Sequence, residues 1–121
     1  MKESVLKIKS ELFVDRIVRL FKYLQTTHSE FVLSKQILRS GTSIGANVSE
    51  AAFAASKKDF LAKMIIATKE YNETIFWLQR LKNAHYLSDE QFTSIHNDCL
   101  ELGRLLMATT RTTKASILSD K

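Results

Sequence analysis

RSGTSIGANVSE, residues Arg39–Glu50, is a stretch in which small residues and hydroxyls interrupt an otherwise ordinary helical pattern in this 121-residue chain. At about 100° per residue, a helix through it separates an apolar face from a polar one. The apolar face carries Leu33, Ile37, Gly41, Ile44, Val48, Ala52 and Ala55, and the polar face carries Gln36, Arg39, Ser43, Asn47 and Glu50. No charged residue lies between Arg39 and Glu50, so the stretch predicts a helix with neighbours on several sides.

Two glycines, Gly41 and Gly45, lie four residues apart in this helix. Each costs about 1 kcal/mol relative to alanine in a helix interior, so a packing gain has to offset the cost. Glycine removes the side chain that keeps two helices apart, and close helix contact is the expected gain. We therefore predict a helix-packing or subunit interface at Gly41, Thr42, Gly45, Ser49 and Phe53. The alternative is a break at Ser40 and Gly41 that leaves two shorter helices.

The polar face of the same helix has two interpretations. In the structural one, Asn47 and Glu50 bond across to the next helix and fix the register of the pair. In the functional one, the same groups line a groove that contacts a ligand or partner. The candidate residues on the two helices are Arg39, Ser43, Asn47, Glu50, Lys69, Glu70 and Glu73.

Apolar residues keep helical spacing in three further segments, and the chain has no proline. We predict helices over about 4–27, 31–55, 57–83 and 89–112, with 114–121 frayed. Ser56 and Ser88 are predicted helix caps, with Asp59 and Gln91 three residues later reaching back. Short turns make successive helices neighbours, which predicts an all-α antiparallel up-down four-helix bundle in a single domain, 1–121. His28 is expected to be a solvated loop residue.

Signals for chemistry are weak. A di-iron bundle needs Glu-x-x-His pairs, which this chain lacks, although Glu50, Glu70 and Glu73 could approach one another. His96 and Cys99 could offer zinc two ligands, with His85 as a third, but a structural site needs four. A buried, reduced Cys99 is the preferred interpretation. Nucleophile-elbow and phosphate-loop patterns are also missing, so we expect no enzyme, no catalytic residue, no cofactor and no metal.

The net charge of +5 and the isoelectric point near 9.4 favour an acidic partner such as nucleic acid. The candidate contacts are Arg16, Arg19, Lys22, Lys57, Lys58, Lys63, Arg80 and Lys82. No apolar run approaches the roughly 18 residues that span a bilayer, and no secretory signal is recognisable. We expect a cytoplasmic protein without a membrane partner.

Three segments, Leu38–Ala51, Ser56–Phe60 and Ile66–Leu78, resemble the bacterial four-helix-bundle family of 23S rRNA-intervening-sequence proteins. Many members of that family have proline at the position of Gly45. The resemblance implies a small cytoplasmic protein that assembles as a ring-like homopentamer, in a family without known enzymatic activity. A related accessory protein of diversity-generating retroelements is basic and pentameric, and it binds nucleic acid and a reverse transcriptase. No catalytic residue is carried over onto this chain by the resemblance.

The leading hypothesis is a non-enzymatic oligomeric scaffold that binds RNA or DNA through phosphate contacts. The alternative is a protein–protein interaction module, or an accessory subunit for a neighbour-encoded protein, that binds no nucleic acid.

Overall fold

Four α-helices make up the fold in a computed structural model that describes residues 4–120: α1 (Val5–His28), α2 (Leu33–Ala51), α3 (Lys57–Asn83) and α4 (Asp89–Ser119). Within these residues there is no strand, so the prediction of an all-α chain with four helices is confirmed. Each helix packs against its neighbours in the chain, and α4 closes the ring by packing against α1. Helices α1 and α3 therefore lie across the bundle from each other. Within the described part, none of the helices carries an apolar run long enough to cross a bilayer.

The core comes from the apolar stripes of all four helices, because each turns one face toward the bundle axis. Its fully buried side chains include Ile17, Leu24, Ile37, Ile44, Leu78, Leu81, Leu102 and Leu106. Trp77 and Ile75 pack at the edge of this core, and Tyr71 lies inside it. The larger aromatic side chains of α3 are thus used for packing.

Helices α1 and α2 approach most closely where the two glycines lie. A Cβ added to Gly41 would come within 2.8 Å of Ile17 Cγ1, and one added to Gly45 would overlap the side chain of Val14. Helix α2 is continuous through both positions, so the alternative with a break at Ser40 is wrong. The other three residues of the predicted interface do not share this contact: Thr42 is half-buried, Ser49 is exposed and Phe53 is 87% exposed in the turn after α2.

The register of α2 against α3 is held only in part by the predicted residues. Glu50 pairs with Lys63 of α3 at 3.8 Å, but Asn47 donates to the carbonyl of Ser43 in its own helix at 2.8 Å. The other ion pairs between these helices come from Arg39, which pairs with Glu70 and Glu73. Asn47 was the wrong choice because its side chain is short enough to bond the preceding turn, whereas a guanidinium on a long stem spans two helices.

A buried pair of hydroxyls adds to this register. Thr74 Oγ1 donates to Ser40 Oγ at 2.9 Å, and both residues are fully buried. Each hydroxyl also lies within hydrogen-bond distance of a carbonyl in its own helix, Glu70 for Thr74 and Ile37 for Ser40, so the contact adds to the register without being the only partner of either group.

The start of α2 is set by the carboxylate of Glu30. It accepts hydrogen bonds from the backbone N–H groups of Val32, Leu33 and Ser34 at 3.2, 3.1 and 2.7 Å. Three of the amides that a helix N-terminus leaves without partners are thereby satisfied, and a negative charge lies at the positive end of the helix dipole. The helix consequently begins at Leu33 and not at residue 31.

The end of α2 also differs from its predicted bound of 55. Ala52 and Phe53 close tight turns onto the carbonyls of Ser49 and Glu50, and the helix ends at Ala51. The carboxylate of Asp59 takes the backbone N–H of Ala55, while the hydroxyl of Ser56 caps α3. Asp59 thus bonds the backbone of Ala55, one residue further back than the predicted bond to Ser56. The predicted capping box of Ser88 and Gln91 at the start of α4 is confirmed.

Helix α4 continues to Ser119, whereas the predicted helix ended near 112. The prediction that 114–121 is frayed is therefore wrong for residues 114–119. Lys121 lies outside the described residues. The ammonium of Lys57, at the start of α3, donates to Ser116 Oγ at 2.6 Å and pairs with Asp120 Oδ2 at 2.7 Å. This contact ties the last turns of α4 to the neighbouring helix. It joins residues about 60 positions apart, and helical periodicity alone does not reveal it.

Replacing Gly45 with leucine should destabilise the α1–α2 contact, because Val14 occupies the space that the new side chain needs. Overpacking of this kind typically costs about 1–3 kcal/mol, more than the gain of about 1 kcal/mol in helix propensity. Urea unfolding followed by circular dichroism measures the difference. Ala46→Leu, at the next and exposed position, is the control and should not be destabilised. Equal stability of Gly45→Leu and the parent protein would contradict the close contact.

Removing the charge of Glu30 should weaken the start of α2 in a pH-dependent way. Burial alone raises the pKa of its carboxyl, but the hydrogen bonds from Ser34, Leu33 and Val32 outweigh it and hold the pKa below the ordinary 4.5. Stability from this group is therefore complete above pH 4.5 and is lost as the pH falls through the lowered folded-state pKa.

We expect Glu30→Gln to cost about 0.5–2 kcal/mol near pH 7, the usual range for a lost helix cap. The cost should shrink as the pH falls below 4.5, and urea unfolding across that range measures it. Glu90→Gln, an exposed acid in the first turn of α4, is the matched control. A cost that did not change with pH would show that the carboxylate charge is not what stabilises the helix start.

Candidate functional site

The acidic residues considered for a metal site are used in ion pairs. Glu70 and Glu73 both face Arg39, and Glu50 pairs with Lys63. Within residues 4–120, no group of three or more His, Cys, Asp or Glu side chains is close enough to hold a metal ion. The charged residues of the polar face thus join α2 to α3, which favours the structural interpretation of this face.

The thiol of Cys99 is fully buried among core side chains of α4. Burial, helped slightly by the nearby charge of Asp98, raises its pKa to about 12. A thiol with that pKa stays protonated at neutral pH, and the thiolate is the form that attacks electrophiles and binds zinc. His96 stacks on Phe92 with ring centroids 4.6 Å apart, and His85 is exposed in the loop before α4.

The eight predicted nucleic-acid contacts fall into three groups. Arg16, Lys57 and Lys63 are paired with Asp98, Asp120 and Glu50. The cations of Arg80 and Lys82 lie over the rings of Phe76 and Phe92, at 4.9 and 4.6 Å from the ring centroids. The remaining candidates are Arg19, Lys22 and Lys58, whose side chains are exposed and make no ion pair, hydrogen bond or ring contact within residues 4–120. The eight residues occupy several sides of the bundle and not one patch.

Five more exposed cations are likewise without an ion pair in the described part of the chain: Lys35, Lys69, Arg104, Arg111 and Lys114. Three of them, Lys69, Arg111 and Lys114, line one groove between α3 and α4, with a volume of about 560 Å³. Its floor contains Ile65 and Met107, which are 50% and 43% exposed, and no carboxylate lines it. Lys69 therefore belongs to this groove and not to the polar face of α2 and α3.

A second groove lies where the end of α1 meets the loop before α4. Its larger cavity, at the loop end, has a volume of about 670 Å³ and is lined by Tyr23, His28, Lys82, Tyr86 and Asp89, among others. His28 lies edge-on to both tyrosine rings, with centroids 5.2 Å from Tyr23 and 5.5 Å from Tyr86. The expectation that His28 is a solvated loop residue is therefore wrong: it is the half-buried last residue of α1.

The smaller cavity of this groove, of about 240 Å³, adjoins the larger one. It is lined by Arg16 and Arg19 and shares Tyr23, Leu87 and Gln91 with its neighbour. A third cavity follows along α1, but there Lys9 and Arg16 are paired with Glu101 and Asp98. Arg19 also lines this third cavity but makes no ion pair with either acid within the described residues.

Exposed apolar side chains form stripes on two helices. Ile65, Ile66 and Phe76 lie on the outer side of α3, and Val5, Ile8 and Leu12 recur at steps of three and four on α1. These side chains are 41–60% exposed. Apolar area of this extent on the outside of a helix is typical of a surface that contacts another protein.

Sequence reasoning missed Tyr23, Tyr86 and the unpaired cluster of Lys69, Arg111 and Lys114. An antiparallel bundle brings the end of α1 close to the start of α4, so the position of Tyr23 near the loop before α4 could have been inferred. Helical spacing also puts Arg111 and Lys114 on one side of α4. Which cations remain without an acid could not be inferred, because that depends on contacts between helices.

Comparisons with known proteins agree with this fold. The family model of the 23S rRNA-intervening sequence protein matches residues 2–108. A solved structure of a protein with unknown function from the S23 ribosomal protein family of Bacteroides thetaiotaomicron is 52% identical, with a TM-score of 0.86. The match covers 88% of this chain and 98% of that one. Among curated proteins no relative matches. Because the family model spans most of α1 to α4, the chain belongs to the 23S rRNA-intervening sequence protein family.

Proposed function

We propose that this protein is a non-enzymatic, homo-oligomeric scaffold that binds RNA or DNA through phosphate contacts. The observation that carries the proposal is the set of exposed cations without an acidic partner, among them Arg19, Lys22, Lys58, Lys69 and Arg111. Cations already paired within the protein gain less from a phosphate than unpaired ones, which are free to replace the counterions of nucleic acid. The net charge of +5 has the same sign, so it attracts a polyanion at long range.

The absence of enzymatic activity is supported by the state of the reactive groups. The thiol of Cys99 is buried with a raised pKa, and the carboxylates of Glu70 and Glu73 are held by Arg39. None of these three groups lines one of the four cavities described above, where a neighbouring base or acid could move a proton as catalysis by a side chain requires.

Self-assembly is supported by the two exposed apolar stripes. A ring needs two different surfaces on each subunit, one for each neighbour. The stripe of Ile65, Ile66 and Phe76 on α3 and that of Val5, Ile8 and Leu12 on α1 are two such surfaces. The resemblance to the family implies a homopentamer, and repetition around a ring would multiply the basic surface of one subunit.

The same apolar stripes favour the second candidate function, a module that binds a neighbour-encoded protein. A stripe that contacts such a protein would be blocked in a closed ring but open in a monomer. Oligomeric state and nucleic-acid binding therefore distinguish the two candidates.

Binding to RNA or DNA should weaken steeply with salt. For phosphate contacts the logarithm of the binding constant falls linearly with the logarithm of salt concentration, by about 0.9 per contact on duplex DNA. Fluorescence polarisation with labelled duplex and single strands, at low and rising salt, measures this slope. The absence of binding to every nucleic acid at low salt would reject the proposed function.

Paired and unpaired cations should differ in this assay. The double variant Lys22→Gln/Lys58→Gln removes two unpaired cations, and each that contacts phosphate should lower the salt slope by about 1. The matched control, Lys9→Gln/Lys57→Gln, removes the same charge from cations already paired with Glu101 and Asp120. If the control lowered the slope as much as the test variant, pairing within the chain would not determine which cations bind.

Charging the outer side of α3 should break up the assembly without unfolding the subunit. Ile66→Lys puts an ammonium into a contact that would otherwise exclude water, at a side chain that is 43% exposed in the single chain. Light scattering coupled to size exclusion should show a smaller particle with unchanged helicity. Thr112→Lys, at an exposed polar position of α4, is the control and should keep the parent mass. An unchanged mass for Ile66→Lys would exclude this part of α3 from the interface.

A further inference from the structure

The groove between the end of α1 and the start of α4 combines two kinds of chemistry in adjoining cavities. The cavity of about 670 Å³ at the loop end lies in the range of small-ligand sites, which is about 300–1,000 Å³. It presents three rings, from Tyr23, His28 and Tyr86, together with amide and ammonium groups of Asn83 and Lys82. Aromatic surface beside hydrogen-bonding groups is what a nucleobase requires.

The smaller cavity next to it supplies positive charge. Arg16 is committed to Asp98 and to the hydroxyl and carbonyl of Ser94. Arg19, one turn further along α1, is exposed and has no partner within the described residues. Its guanidinium can therefore bind an anion at no cost to an existing contact, and its planar fork suits phosphate.

The larger cavity contains charges of both signs, Lys82 and Asp89, whereas the smaller one is lined only by positive charge, and this difference favours one direction for a ligand. Asp89 lines the larger cavity, where its carboxylate repels phosphate but can accept from an exocyclic amine of a base. The smaller cavity is lined by two arginines and no acid. A base at the loop end and a phosphate at the Arg19 end match these two environments.

We propose that this groove binds single-stranded nucleic acid, with an unpaired base against Tyr86 and His28 and a neighbouring phosphate on Arg19. The proposal rests on the proposed function and adds to it the form of the nucleic acid and the place where it binds. A base inside a duplex is stacked and paired and cannot enter a side cavity, so a single strand, loop or end is the ligand.

The test uses the full-length protein and short oligonucleotides in which 2-aminopurine, a fluorescent base, replaces one adenine. The same sequence is offered as single-stranded RNA, single-stranded DNA and duplex, and the first two arms show which sugar is preferred. We expect the single strand to bind more tightly than the duplex and its fluorescence to be quenched by stacking. Stacking on one aromatic side chain is worth about 1–3 kcal/mol, which corresponds to roughly a 5- to 150-fold change in affinity.

Variants separate the two halves of the groove. Tyr86→Leu should weaken single-strand binding at least about fivefold and abolish the quenching, whereas Tyr86→Phe, which keeps the ring, should retain both. Arg19→Gln should weaken binding and lower the salt slope by about 1 with the quenching intact. The control is Lys57→Gln, an equal charge change at a cation that is already paired with Asp120 at the other end of α3, and it should leave the single-strand preference and the quenching unchanged. Arg111→Gln tests the groove between α3 and α4 as a competing site. Helicity of each variant is checked by circular dichroism.

The outcomes distinguish this proposal from the broader one. Equal binding of duplex and single strand, with no effect of Tyr86→Leu or Arg19→Gln, would overturn the groove as the site and leave phosphate binding elsewhere intact. No binding of any oligonucleotide would overturn both proposals. Loss of single-strand preference in Arg111→Gln but not in Arg19→Gln would move the site to the groove between α3 and α4.

Discussion

The close approach of α1 and α2 at Gly41 and Gly45 is the contact on which the rest of the packing depends. Because Ile17 and Val14 occupy the space that side chains at these positions would need, α1 lies against the backbone of α2. That position of α1 brings Ile17 and Ile44 into one core with Leu78 and Leu102 from the other two helices. A side chain at either glycine would push α1 outward, and the cavity this opened would cost stability at several core positions together.

On its opposite side, α2 is held by polar groups. Thr74 bonds Ser40 inside the bundle, and Arg39 reaches Glu70 at the edge, so α3 has one favourable register along α2. A slip by one turn would break the hydroxyl contact between the helices and leave the nearly buried carboxylate of Glu70 without its cation, while each hydroxyl would keep a carbonyl of its own helix. Apolar packing brings these helices together, and the polar contacts select one alignment among several that would bury similar area.

Prediction from the sequence succeeded where the cause is a common local pattern and failed where it is an unusual local contact or lies between helices. The cap at Ser88 and Gln91 could be predicted, because both groups belong to one turn. The later start of α2, at Leu33 and not at residue 31, was missed because Glu30 accepts from residues two to four positions ahead, an arrangement outside the usual capping box. Arg39 was passed over as the cross-bundle group, since the length of a side chain matters only once the distance between helices is known.

The candidate site likewise has some features that can be predicted from the sequence and others that depend on contacts between helices. Composition predicts the sign of the surface charge, because lysine and arginine outnumber the acids by 18 to 13. It does not predict which cations are neutralised: Arg16 and Arg19 are three residues apart on one helix, yet only Arg16 meets an acid. The aromatic part of the groove depends on the loop before α4, where His85 adopts a left-handed backbone conformation, with φ of 66°, just before Tyr86. Such a conformation is uncommon for residues other than glycine and is not readable from residue types.

The proposed assembly and the proposed groove are compatible because most of the apolar stripes lie far from the groove along the bundle. On α3, Ile65 and Ile66 lie about 25 Å from Asn83, which lines the groove, whereas Phe76 lies only two turns from it. The other apolar stripe, Val5 to Leu12, belongs to the first half of α1, whereas Tyr23 and His28 lie at its far end. About 17 Å of helix separates Ile8 from Arg19 at 1.5 Å per residue, but Leu12 lines a cavity together with Arg19. A neighbouring subunit that covers Ile65 and Ile66 on α3 or Val5 and Ile8 on α1 can therefore leave the groove open, and each subunit of a ring would then present one such groove to the same nucleic acid. Several weak sites held in one particle bind a long strand more tightly than one site alone, which is a physical reason for a small basic bundle to assemble.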